Sequence, residues 1–234
     1  MIILPRSIPP KRFDQLLRVS EEIFIANGYA RTQMEDVSKA LGVGKGTIYG
    51  YVESKQALFD FVVRNSGREH VPVPAALPIP TPRPGSTLAA LQGRIHAEMK
   101  LPRLQAAVSG RTSDPQAELE GVIEELYDLL FANRVGIKLL ERCSRDYPEL
   151  HALWHSRGRY ALLDLLTQYI RRRVRSRKFA PVPSERIAAR VFLETISTWA
   201  VHIHWDAAPD NIPDVEARAS VRHYLTRALL GYSP

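Results

Sequence analysis

The apolar positions of this chain recur at helical spacing almost from end to end, and no stretch alternates as a half-buried strand would. Phe13, Leu16, Leu17, Ser20 and Phe24 fall on one stripe, which predicts a first helix beginning near Lys11 and stopping at Asn27-Gly28. Met34, Val37, Leu41, Val43, Ile48 and Tyr51 then follow the spacing of a helix, a tight turn and a short second helix. Ser38 is small where the second helix crosses the first, and Gly42 stands where the turn needs a left-handed backbone. Thr32 can cap the first of these helices through its hydroxyl, and Ser54 the next helix, which carries Leu58, Phe59 and Val62 and frays near Gly67.

The helical pattern then breaks. Pro72, Pro74, Pro78, Pro80, Pro82 and Pro84 exclude a helix and favour an extended polyproline II path. Such a segment serves as a semi-rigid linker or as a docking segment for a partner. From Ser86 helices resume: about Ser86 to Lys100, a short one to Ser109, one marked by Leu119, Val122, Ile123, Leu126 and Leu130, and one from Val135 to Arg145. After Pro148 a long helix carries Leu150, Leu153, Leu162, Leu165, Leu166 and Tyr169 into the cationic run Arg171 to Lys178. The helix over Ser184–Trp205 is apolar nearly all round and must bury two faces, whereas Pro213–Leu230 shows one apolar side.

The segment Thr32 to Lys55 also carries a denser signature. Thr32, Val37, Ser38, Leu41, Gly42, Val43, Lys45, Gly46, Thr47, Ile48, Tyr49, Ser54, Lys55 and Leu58 resemble the DNA-binding motif of the tetracycline-repressor (TetR) family of bacterial regulators. The chain departs from that pattern at Gly44, where the family has serine, at Tyr51, where it has histidine, and at Val52, where it has phenylalanine. The resemblance implies an all-α fold: a helix-turn-helix DNA-binding domain over residues 1–68, a proline-rich linker over 69–86, and a helical ligand-binding and dimerisation domain over 87–234. It implies an operator interface of Thr32, Gly44, Lys45, Gly46, Thr47, Tyr49, Tyr51 and Lys55, entering the major groove by the N-terminus of the short helix. Lys45 and Thr47 suit base edges or phosphates, and Tyr49 and Lys55 suit phosphates. The partners implied are a palindromic double-stranded operator, a small-molecule effector, and a second copy joined through the two C-terminal helices.

Composition changes this picture little. The chain has 234 residues and a net charge of +7, which suits a polyanion without requiring one. Its single cysteine, Cys143, forms no internal disulfide, which fits a reducing cytoplasm. No run approaches the roughly 18 apolar residues of a membrane span. Arg6, Lys11 and Arg12 of the N-terminal tail can reach phosphates or simply face water.

Other constellations carry less. His151 and His155 share a helical face and could grip a metal, but no third ligand accompanies them at a telling spacing, so no metal, cofactor or catalytic residue is assigned. No phosphate-binding glycine loop, nucleophile elbow or zinc-protease motif is present. Phe131, Trp154, His155, Tyr160, Trp199 and His202 are candidates to line an effector pocket between helices, and equally to be plain core. Two other readings stay open: a helical ligand-binding or scaffold protein without specific DNA binding, and a metal-dependent helical enzyme using His151 and His155.

Overall fold

The computed structural model describes residues 11–98, 100–209 and 211–231; Arg6 of the tail lies outside them. The fold is all-α, and among the described residues the one β feature is an isolated bridge between Val52 and Ile79. The chain forms two compact units, one of residues 1–92 and 139–151, the other of 93–138 and 152–234.

The first unit is built from α1 (Arg12–Arg31), α2 (Met34–Ala40), α3 (Lys45–Ile48) and α4 (Lys55–Asn65). Phe13, Leu16, Leu17 and Phe24 are buried along α1, as their spacing requires, with Leu58, Phe59, Phe61 and Val62 buried along α4. Ring edges lock the two helices: Phe13 meets Phe61 at 6.1 Å and Phe24 meets Phe59 at 5.2 Å. The helical assignment runs past the expected stop at Gly28, but Gly28 itself is not helical (φ 78°, ψ 173°), so the axis kinks there. A side chain at that position would also collide with the Asp146 carboxylate, 2.7 Å from an added Cβ.

Asp146 belongs to the segment 139–151, which returns to this unit. Its Oδ2 accepts from the Ala30 amide at 3.0 Å, and Arg142 donates to the carbonyls of Ile25 (2.8 Å) and Ala26 (2.9 Å). Cys143 lies buried beneath, its thiol pushed up to about 12 by desolvation, as for a core residue.

The proline-rich segment folds back onto the same unit. Ile79 donates its amide to Tyr51 O (2.8 Å), and its carbonyl accepts from the Glu53 amide (3.0 Å). The Thr81 amide donates to Glu53 Oε2 (2.8 Å), and the Ser54 and Thr81 hydroxyls meet at 2.8 Å. Near the other end, the Val71 amide donates to Asp14 Oδ1 at 2.7 Å. The segment is a strap held at both ends by the helical domain it follows.

The second unit contains α6 (Pro102–Ser109), α7 (Pro115–Ala132), α10 (Ala161–Arg175), α11 (Glu185–Ala200) and α12 (Asp214–Leu230). Three more helices, α5 (Ser86–Glu98), α8 (Arg134–Cys143) and α9 (Pro148–Leu153), span the divisions between units. Asp114 and Ser184 cap α7 and α11 through side-chain oxygens. One apolar cluster, including Leu104, Leu126, Tyr127, Leu166, Tyr169, Phe192 and Leu225, fills the space between the helices.

Three features differ from the expected pattern. The long helix after Pro148 runs on to Arg175 as expected but is not α throughout: residues Trp154–Tyr160 widen into a π-turn. Gly158 permits it, because an added Cβ there would lie 3.1 Å from the Trp154 ring. In the cationic run, Arg173 is not a solvated helix end but is 2% exposed. It forms a bidentate pair with Glu118 (2.6 and 2.7 Å) and donates to Ala107 O at 2.8 Å, tying α10 to α7 and α6. Finally, α11 does not bury its second face within the chain: Ile187 and Val191 are 62% and 55% exposed.

Candidate nucleic-acid interface

The turn between α2 and α3 is made as its sequence dictates. Gly42 has φ 68°, the left-handed conformation that a Cβ disfavours, and Val43 returns its amide to Ser38 O at 2.9 Å. On α3, Ile48 is fully buried and orients the short helix, so Lys45, Gly46, Thr47 and Tyr49 face outward and are exposed. Gly44 precedes the helix with an extended backbone and no side-chain cap. An added Cβ on Gly46 would meet nothing within 4 Å, so the backbone there is open to close approach from outside.

The electrostatics are simple. Lys45 Nζ lies 3.9 Å from Glu35, and both side chains are at least half in water, a contact that an incoming phosphate or base edge can replace at little cost. Glu35 also pairs with Lys39 at 3.1 Å. The surface therefore presents a cation, a hydroxyl and a phenol on one short helix and its C-cap, a combination suited to nucleic acid.

The remaining expected contacts are placed differently. Thr32 is fully buried and donates its hydroxyl to Gly28 O at 2.7 Å, so it neither faces solvent nor caps α2. Gln33 is the N-cap of α2, in a reciprocal capping box with Asp36. Tyr51 is buried, with its ring edge on Phe13 at 6.0 Å. Lys55 donates to three carbonyls, those of Tyr29, Ala30 and Thr32, at 3.0 to 3.1 Å, and sits 4.8 Å from the centre of the Tyr29 ring. That uses the whole donor capacity of an ammonium. These three side chains support the helices that present α3.

The sequence signal for the capping box was present in Gln33 and Asp36, three residues apart. Nothing local marks Arg142 and Asp146 as partners of a helix more than a hundred residues earlier.

The pocket candidates all lie in the second unit. Phe131 and Trp199 are partly buried against its core, and Trp154 is buried on the π-turn. His155 meets the exposed Tyr160 ring at 5.8 Å. Phe131 is bracketed by Arg134 at 4.2 Å and by His204, edge-on at 5.6 Å; His202 is half-buried on the 3-10 turn that follows α11. Among the described residues, no three of His, Cys, Asp and Glu converge as metal ligands would. Among the described residues, no helix is long and apolar enough to cross a membrane.

Comparison with known proteins bears on this geometry. Residues 16–62 match the family model described as "Bacterial regulatory proteins, tetR family". No protein of curated function matches the sequence. Among solved structures, the ketosteroid transcriptional regulator KstR2 of Mycobacterium tuberculosis is 14% identical, with a TM-score of 0.57 and coverage of 96% of this chain and 98% of that one. A TetR-family member from Streptomyces coelicolor is 19% identical, with a TM-score of 0.55 and coverage of 92% and 89%. AibR, solved with isovaleryl coenzyme A and operator DNA, is 17% identical, with a TM-score of 0.53 and coverage of 92% and 98%. At these identities the likeness establishes the fold.

Proposed function

We propose that this chain, whose N-terminal domain is that of the tetR family of bacterial regulatory proteins, is a ligand-responsive repressor that binds a palindromic operator as a homodimer. The observation that carries the reading is α3: a short helix anchored by buried Ile48 and presenting exposed Lys45, Thr47 and Tyr49. Lys45 reads a base edge, Tyr49 and Thr47 hold phosphates, and Gly44 and Gly46 let the backbone approach. Thr32, Tyr51 and Lys55 act through the fold.

Dimerisation is supported by the open second face of α11, where Ile187 and Val191 stand exposed, and by Tyr224 on α12, 73% exposed. Two copies pairing α11 and α12 as a four-helix bundle cover these side chains and set two reading heads on a two-fold axis. The effector occupies the helical second domain, beside Phe131, Trp154, His155, Tyr160, Trp199 or His202. AibR, a protein of this fold solved with both isovaleryl coenzyme A and operator DNA, supports a regulator that binds a small ligand as well as DNA. Residues 1–68 form the reading head, steadied by the strap and by the segment 139–151, and residues 87–234 otherwise serve the effector and the dimer.

The test is operator binding by fluorescence anisotropy. Lys45→Ala weakens the preferred site by about 1–3 kcal/mol and relaxes preference at one position. Equal weakening on random duplex would reduce Lys45 to a phosphate contact.

A further inference from the structure

We propose that the cleft between the α6–α7 connection and the C-terminal turn of α10 binds a small polyphosphorylated ligand of the nucleoside diphosphate class. The cleft has a volume of about 660 Å³ and lies within the second unit. That volume falls in the range of small-molecule sites.

Cations dominate its lining. Arg111 stands on one side, and Arg171, Arg172, Arg175 and Lys178 on the other. Arg111, Arg171, Arg175 and Lys178 are exposed, and none makes an ion pair among the described residues. Other arginines of the same unit behave differently: Arg159, Arg186, Arg190, Arg218 and Arg222 each meet a carboxylate. Unpaired like charges gathered around one concavity repel each other and focus a positive field there. A bound anion relieves that repulsion.

The two rims are fixed before a ligand arrives. Buried Arg173 donates to Ala107 O at 2.8 Å and holds Glu118, while Arg172 donates to Gly110 O at 3.0 Å. The loop carrying Arg111 is thereby tied to the helix carrying Arg171 and Arg175. The C-terminal end of α10 brings carbonyl oxygens, whose partial charge opposes an anion, so the guanidinium groups must do the holding.

Guanidinium forks match phosphate oxygens two by two, and four unpaired cations call for more than one negative charge. Gln168, Thr112 and Ser176 add neutral hydrogen-bonding positions, and Val108 an apolar patch, beside the charged rims. A concave site of this size suits a compact ligand better than a duplex, whose phosphates run along an extended path. The proposal stands apart from the operator reading, because it concerns other residues and other chemistry.

Calorimetric titration of the full chain with inorganic pyrophosphate and with ADP, in about 50 mM salt, tests it. Saturable binding of one ligand per chain is expected. Tighter binding of ADP than of pyrophosphate assigns a share to the nucleoside; equal binding assigns it all to phosphate, and either supports the site. Arg171→Gln with Arg175→Gln lowers affinity at least about tenfold. Arg68→Gln with Lys100→Gln removes the same charge from other exposed positions and leaves affinity within about twofold. No saturation up to about 1 mM, or equal weakening by both double variants, overturns the proposal. So does loss of duplex binding in the Arg171/Arg175 variant when pyrophosphate fails to bind the wild type, since the cleft is then a DNA contact.

Discussion

Replacing Lys55 by methionine separates a DNA contact from a structural one. The ammonium donates to the carbonyls of Tyr29, Ala30 and Thr32, two of these contacts partly buried and one exposed. Hydrogen bonds to a charged group contribute roughly 1.5–3 kcal/mol each, and water replaces the exposed one at little loss. Counting the two partly buried bonds at the low end gives about 3 kcal/mol, since methionine keeps most of the stem's packing. For a chain of this size that lowers the melting temperature by about 6–12 °C. Because no donor is left for phosphate, the slope of log affinity against log salt, measured well below the melting temperature, stays at the wild-type value. Lys45→Met gives the reverse: an unchanged melting temperature and operator binding weaker by about 1–3 kcal/mol. The assays are thermal denaturation by circular dichroism and anisotropy titrations over a salt series. A Lys55→Met protein with wild-type melting and a slope reduced by about 0.9 would refute the reasoning.

Arg173→Met leaves Glu118 without its partner and costs about 3–5 kcal/mol in urea denaturation; adding Glu118→Leu recovers a large part of it, and no recovery would mean that the arginine acts through packing alone. Val191→Glu with Tyr224→Glu gives a folded monomer by light scattering, whereas Leu225→Glu, placed in the subunit's own core, unfolds it. A Val191/Tyr224 variant that stays dimeric would place the interface elsewhere. Exchanging residues 71–85 for a Gly/Ser sequence of equal length loses the strap's hydrogen bonds and lowers the melting temperature by about 4–8 °C. Operator affinity well below that temperature stays within about threefold; unchanged melting would make the strap a passive linker.

The reading head was legible because its constraints are local. Gly42 must be left-handed for the turn, Ile48 must be apolar to anchor α3, and the outward residues follow from 3.6-residue periodicity. The side chains that the motif alone placed on DNA were not separable in this way. Thr32 and Lys55 look polar and available in sequence, but backbone carbonyls at the end of α1 take up their hydrogen bonds. Arg173 was hidden for the same reason: within a run of cations, nothing local says which one turns inward to Glu118, 55 residues away in sequence. The prolines correctly excluded a helix over the strap. The attachment through Ile79 depends on Tyr51 and Glu53 offering an exposed edge of backbone, which no periodicity records. The second face of α11 was visible as surplus apolar residues, and the structure shows which of them the chain itself leaves uncovered.

Selection of bound sequences from random duplex DNA, run in parallel with wild-type protein and Lys45→Ala, tests the central claim most directly. The account predicts that wild type enriches a two-fold symmetric sequence with half-sites spaced by whole helical turns, and that the variant loses preference at one position of each half-site. A wild-type pool with no enriched sequence would contradict it, and would leave a helical domain that binds something other than an operator.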